Sequence, residues 1–129
     1  MVLGASPRLM LIGDSITEGR GASDSIGFRK ILYQLLQTAG LSPDFVGSSG
    51  ESPYEGHFKG GSKIWEFSSG GSMDVASDME KYHPTVTAIH LGTNGFTANI
   101  EPMITLVNYL LTWRHGKGQY LQHIVVSQI

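Results

Sequence analysis

No cysteine occurs among the 129 residues, so neither a disulfide nor a cysteine-ligated metal site is open to this chain. Charge is sparse too. Charged residues make up 16% of the chain, and 9 Lys and Arg against 11 Asp and Glu leave a net charge of −2. No basic run is present, so nucleic acid is not expected as a partner, because phosphate binding needs clustered Lys and Arg. Long hydrophobic runs are missing as well. Nothing approaches the roughly 20 apolar residues that a membrane-crossing helix requires, so no membrane span is expected. Residues 1–8 are too few for a signal peptide ahead of the first apolar run. The chain is therefore read as intracellular or as lacking its leader. No two histidines stand at helical ligand spacing with a carboxylate, so a metal is not expected.

What is present points to a globular fold. Hydrophobic residues make up 40% of the chain, and its length suits a single domain over 1–129. Residues 9–12 form an apolar run that stops on Gly13, the pattern of a buried strand. A helix follows with Phe28, Ile31, Leu32, Leu35, Leu36 and Ala39 on one expected apolar face, ended by Gly40. Residues 44–47 suit a second strand, and 48–61 a long loop in which Pro53 rules out a central strand. Ser62 is placed to cap a short turn bearing Ile64, Trp65 and Phe67. Ser72 is placed to cap a helix through Met73, Ala76 and Met79, closed by His83-Pro84. Residues 86–91 read as a third strand, and Asn99 opens a helix carrying Met103, Val107, Leu110 and Leu111 that Gly116 ends. Residues 123–129 read as a fourth strand. Strands alternating with helices predict a parallel sheet in a three-layer α/β/α, flavodoxin-like arrangement.

In such a sheet, ligands gather where strands end and helices begin. Three segments fall there. Gly13-Asp14-Ser15 follows the first strand, Gly56-His57-Phe58-Lys59-Gly60-Gly61 precedes the first short turn, and Gly92-Thr93-Asn94-Gly95 follows the third strand. A serine on a strand-to-helix turn exposes its hydroxyl. An acyl-transfer site needs such a nucleophile together with donors aimed at the developing oxyanion. The donors available are the backbone N–H of Ser15, that of Gly60 or Gly61, and the amide of Asn94. Each residue also has a plain reading: Asn94 as a turn former, the glycines as loop punctuation, Asp14 as a helix cap, Glu18 and Asp24 as solvated acids.

These residues resemble a known family. Ile12-Gly13-Asp14-Ser15-Ile16-Thr17-Glu18-Gly19, Gly27-Phe28-Arg29-Lys30-Ile31-Leu32, Asp44-Phe45-Val46-Gly47-Ser48, Glu55-Gly56-His57 and Leu91-Gly92-Thr93-Asn94 are similar to GDSL-type esterases of the SGNH hydrolase superfamily. The nearest subgroup is the acetyl-xylan esterases of carbohydrate esterase family three. The resemblance implies Ser15 as nucleophile, and Ser15, Gly61 and Asn94 as the oxyanion hole. Asp14, His57 and Gly60 take supporting or substrate-binding places. It implies an ester or an acetylated polysaccharide as substrate, no cofactor, and an extracellular setting.

Two departures stand out. Gly95 occupies the position where the family carries an aspartate. The family's Asp-x-x-His pair lies beyond a further strand, so the chain is expected to represent the N-terminal part of such a fold. A serine without an imidazole is a weak nucleophile. Of the five histidines only His57 is expected near the pocket, and the family gives it no role as base. Two competing readings follow: a non-catalytic relative that binds a sugar or ester, and nucleotide binding through Gly60-Gly61-Ser62-Lys63. The latter lacks the glycine that a phosphate loop places before its lysine. Ile124, Val125, Val126 and Ile129 are expected to leave an exposed apolar strip along the fourth strand.

Overall fold

β1 (Arg8–Gly13) occupies the middle of the sheet in the computed structural model, which describes residues 7–94, 99–116 and 118–127. On one side it pairs with β2 (Asp44–Phe45) through Arg8 and Leu9, and with β3 (His57–Phe58) through Ile12 and Gly13. On the other side lies β4 (Val86–His90), with β5 (His123–Val126) outside it. Every pairing is parallel, so each crossover has to travel back along the sheet. The crossovers carry α2 (Phe28–Thr38), α3 (Ala76–Tyr82) and α4 (Glu101–His115). A single-turn helix, α1 (Ser15–Glu18), follows β1 directly.

Register decides which side chains share a face. Met10 is level with Thr87 and Ile12 with Ile89, while Thr87 is level with Ile124. Alternation puts these residues on one side of the sheet. Met10, Ile12 and Ile89 are buried there against Phe67, Val75, Met79, Leu106, Leu110 and Trp113 from the α3 and α4 side. On the opposite side, Leu11, Ala88 and Val125 face Phe28 and Leu32 of α2 across an apolar groove of about 320 Å³. Helices on both faces of a parallel sheet make the expected three-layer α/β/α arrangement.

Four details depart from the sequence expectation. The loop 48–61 contains β3, whose two residues are too few to show any periodicity. α3 starts at Ala76 and not after Ser72. Asp74 supplies the cap by accepting the Ala76 N–H at 2.9 Å, while the Ser72 hydroxyl donates to Glu66. α2 is rotated so that Ile31 and Leu35 are 60% and 61% exposed, and Arg29 is buried in their stead. Along β5, Val125 and Val126 are exposed, whereas Ile124 packs against the core; Ile129 lies outside the described residues.

Candidate active site

The turn after β1 is built by close packing. A Cβ on Gly13 would stand 1.9 Å from the Thr17 hydroxyl, so only glycine lets Thr17 fold back onto the strand end. Asp14 is fully buried and caps α1, its Oδ1 accepting the Ile16 N–H at 3.0 Å. Ser15 is therefore the first residue of α1, half-buried at the carboxyl end of β1.

Two further segments arrive at the same edge. Gly13 is level with Phe58 at the end of β3 and with His90 at the end of β4. The Lys59 N–H donates to the Gly13 carbonyl at 3.2 Å, which seats the start of the 59–62 loop beside the Ser15 turn. Gly61 has φ +80 and is exposed, with open space where a Cβ would lie. At Gly60 a Cβ would meet the Arg20 guanidinium. The Asn94 amide donates to the Ser62 carbonyl at 3.2 Å and joins the β4 loop to the β3 loop. Gly95 lies outside the described residues.

His57 is buried below this edge and not within it. Its Nδ1 is 2.7 Å from Asp78 Oδ2, and its Nε2 is 2.7 Å from the Met73 carbonyl. Ser48 donates to the same Asp78 oxygen from its N–H at 2.9 Å and its hydroxyl at 2.8 Å. With both ring nitrogens engaged, His57 has no free nitrogen to take a proton from Ser15. The other histidines lie elsewhere. His83 stacks on Tyr120 near the amino ends of the strands, and His90 stands edge-on to Phe28. His115 ends α4 and His123 begins β5. Among the described residues no histidine hydrogen-bonds Ser15.

Burial raises the Asp78 carboxyl, but hydrogen bonds from His57 and Ser48 outweigh it and leave the group below its ordinary value. A carboxyl depressed in the folded state contributes stability above its unfolded value, and that stability is lost as pH falls through the folded value. Asp78→Asn is expected to cost about 3 kcal/mol near neutrality, the scale for breaking a buried pair, and its deficit should shrink on acidification. Melting temperatures of both chains between about pH 6 and pH 2 check this. Parallel curves would contradict it.

Arg29 ties the outer loops together. Its guanidinium donates to the carbonyls of Ile26, Glu18 and Tyr54, and it lies over the Phe58 ring at 4.2 Å. Desolvation lowers its pKa, opposed by Glu18 and Asp24. Sequence reasoning missed both Arg29 and the His57–Asp78–Ser48 network. An arginine in an amphipathic helix reads as solvated, and no spacing rule links a histidine to an acid 21 residues on. Among the described residues no helix is long and apolar enough to cross a membrane, and no cluster of acids and histidines could hold a metal ion.

No sequence-family model matches the chain, and no curated protein matches it in sequence. Its fold is matched closely. A family 3 carbohydrate esterase from Clostridium thermocellum aligns at TM-score 0.74 and 22% identity, over 94% of this chain and 77% of that one. One from Talaromyces cellulolyticus aligns at 0.72 and 21%, over 93% and 60%. The chain has the SGNH-hydrolase fold. An acetylxylan esterase from Geobacillus stearothermophilus, solved as a catalytic mutant, aligns at 0.65 and 18% identity over 98% of this chain. This SGNH-fold chain thus spans 77% of the first neighbour's length, and 60% and 61% of the other two.

Proposed function

We propose that the chain is the serine-bearing part of an esterase that removes acetyl groups from carbohydrate. The observation that carries this is the meeting of the Ser15 turn, the Gly60-Gly61 loop and Asn94 at one sheet edge, through the Lys59–Gly13 and Asn94–Ser62 hydrogen bonds. Ser15 Oγ attacks the acetyl carbonyl, and the charge developing on its oxygen is met by N–H donors. The Ser15 and Gly61 backbones supply two, and Asn94 supplies the third. An amide carries two N–H bonds, so the one given to Ser62 leaves one for the oxyanion. The sugar hydroxyl departs with a proton, and water then releases acetate from the acyl-serine. An imidazole must take the serine proton, and His57 is not free to do so. That engagement favours the second reading, an ester- or sugar-binding domain without turnover, for these 129 residues taken alone.

The sugar side of the proposal rests on Trp65. It is half exposed on the 3-10 turn Ile64–Phe67, just beyond Gly61 and Ser62. It edges a shallow groove whose polar lining includes Asn99, Glu101 and Thr105. An exposed indole offers the flat apolar face against which a sugar ring packs, with hydroxyl partners nearby. Trp65→Ala is expected to weaken binding of an acetylated xylo-oligosaccharide about fivefold, corresponding to roughly 1 kcal/mol of aromatic packing. Isothermal titration calorimetry, which needs no turnover, checks this. Equal affinity in the two chains would remove the carbohydrate from the proposal and leave the esterase chemistry to be tested by Ser15.

A further inference from the structure

We propose that the buried His57–Asp78 pair is a positioning device for the oxyanion side of this site, holding the 59–62 loop at the height the Ser15 turn requires. This inference rests on the esterase reading above.

The pair lies where five segments meet. Ser48, just past β2, donates twice to Asp78, and Asp78 stands on α3. Met73, in the segment before α3, accepts from the far side of the ring. Phe67 of the 3-10 turn packs edge-on to the imidazole at 5.7 Å. His57 itself is the first residue of β3, and Gly60 and Gly61 follow within four residues. β3 has two residues, level with Ile12 and Gly13 of β1, and Ser49 holds its start through Gly56 and the Phe58 N–H. These contacts fix its backbone at the edges. The side-chain hydrogen bonds at His57 tie it to α3 as well.

The chemistry of the contacts makes the anchor directional. The two partners of the ring, the Asp78 carboxyl and the Met73 carbonyl, each lie 2.7 Å from a different ring nitrogen. Each bond constrains a different direction, and the ring can neither flip nor slide without stranding a buried acceptor. His57 and Asp78 are 5% and 4% exposed, so water cannot replace either bond. On the other side of β3, Arg29 lies over Phe58 and fixes the next residue. The loop thus leaves β3 with two consecutive side chains locked, and the Lys59 N–H already seated on the Gly13 carbonyl. An oxyanion donor has to be held to a fraction of an ångström, which is the task this arrangement performs.

The test uses the 129-residue chain, with Asp78→Asn as the shape-preserving variant and His57→Gln as the second should Asp78→Asn fail to fold. The first readout is amide hydrogen exchange. Residues 59–62 are expected to exchange about tenfold faster in the variant relative to amides of β1 and β4, the mark of a local opening. The second is turnover of p-nitrophenyl acetate with free imidazole supplied as base. The Ser15-dependent kcat is expected to fall about tenfold with KM nearly constant, a fraction of what losing an oxyanion donor outright costs. Unchanged exchange at 59–62, exchange that quickens equally throughout the sheet, or a kcat equal to that of the parent chain would overturn the proposal. Ser15→Ala run alongside separates the two failures. If it leaves turnover untouched, the esterase reading falls, and the exchange readout alone still decides whether the pair holds the loop.

Discussion

Ser15→Ala is expected to cost at least about 10³-fold in p-nitrophenyl acetate turnover once the chain is extended by a segment carrying an Asp-x-x-His pair, and little in the 129 residues alone. In the Ser-His-Asp template, the members act as a unit, and the oxyanion hole with binding retains roughly 10³–10⁴-fold over water when any of them is removed. Among the described residues no histidine is in hydrogen-bonding contact with Ser15, and both nitrogens of His57 are committed to Asp78 and Met73. The donors at the sheet edge can polarise a carbonyl, but the hydroxyl keeps its proton. Free imidazole should recover part of the 10²–10⁴-fold that a positioned base contributes. It should do so only when Ser15 is present. The assay compares the short and extended chains with and without Ser15, subtracting the ester consumed by imidazole in buffer. Strong Ser15-dependent turnover by the short chain without imidazole would contradict this, and His57→Ala would be the next variant to make.

Gly47→Ala is expected to be among the most damaging methyl additions at the described glycines, with a loss of about 3 kcal/mol or more. Two costs combine. Gly47 has φ +143, a conformation that a residue with a Cβ rarely adopts. A Cβ there would also stand 1.9 Å from the Gly56 carbonyl oxygen, a contact with backbone that no rotamer change relieves. Overpacking alone costs about 1–3 kcal/mol, and the backbone strain adds to it. The effect should reach the site, because Ser49 and Gly56 exchange hydrogen bonds at 2.9 and 3.0 Å just before β3. Gly40→Ala is the control. Its φ is also positive, but a Cβ there meets nothing within 4 Å. Chemical denaturation should find Gly40→Ala clearly milder, and equal losses would contradict the steric argument.

The sequence disclosed whatever has a period or a punctuation mark. β1 is an apolar run ending on glycine, β4 starts on β-branched residues with Gly92 just beyond it, α4 repeats its apolar residues at helical spacing, and Asn99 caps it by accepting the Glu101 N–H at 3.0 Å. Gly40 closes α2 at φ +87, as its position predicts. Parallel topology followed from the alternation, and with it the gathering of the Ser15, Gly61 and Asn94 segments at one edge. What stayed hidden depends on contacts distant in sequence. Composition assigns Arg29 to solvent, yet three carbonyls and the Phe58 ring bury it and turn Ile31 and Leu35 outward. His57 stands beside Gly56 and so reads as a site residue. Asp78, buried with it, sits in an ordinary helical stretch with nothing nearby to mark it.

Ser15 as nucleophile is tested most directly by finding the acetyl group. The chain is mixed with p-nitrophenyl acetate and imidazole, quenched in acid, digested, and examined by mass spectrometry. The esterase reading predicts acetyl on the hydroxyl of Ser15, absent after Ser15→Ala. Acetyl confined to lysines, with the Ser15 peptide unmodified, would contradict it.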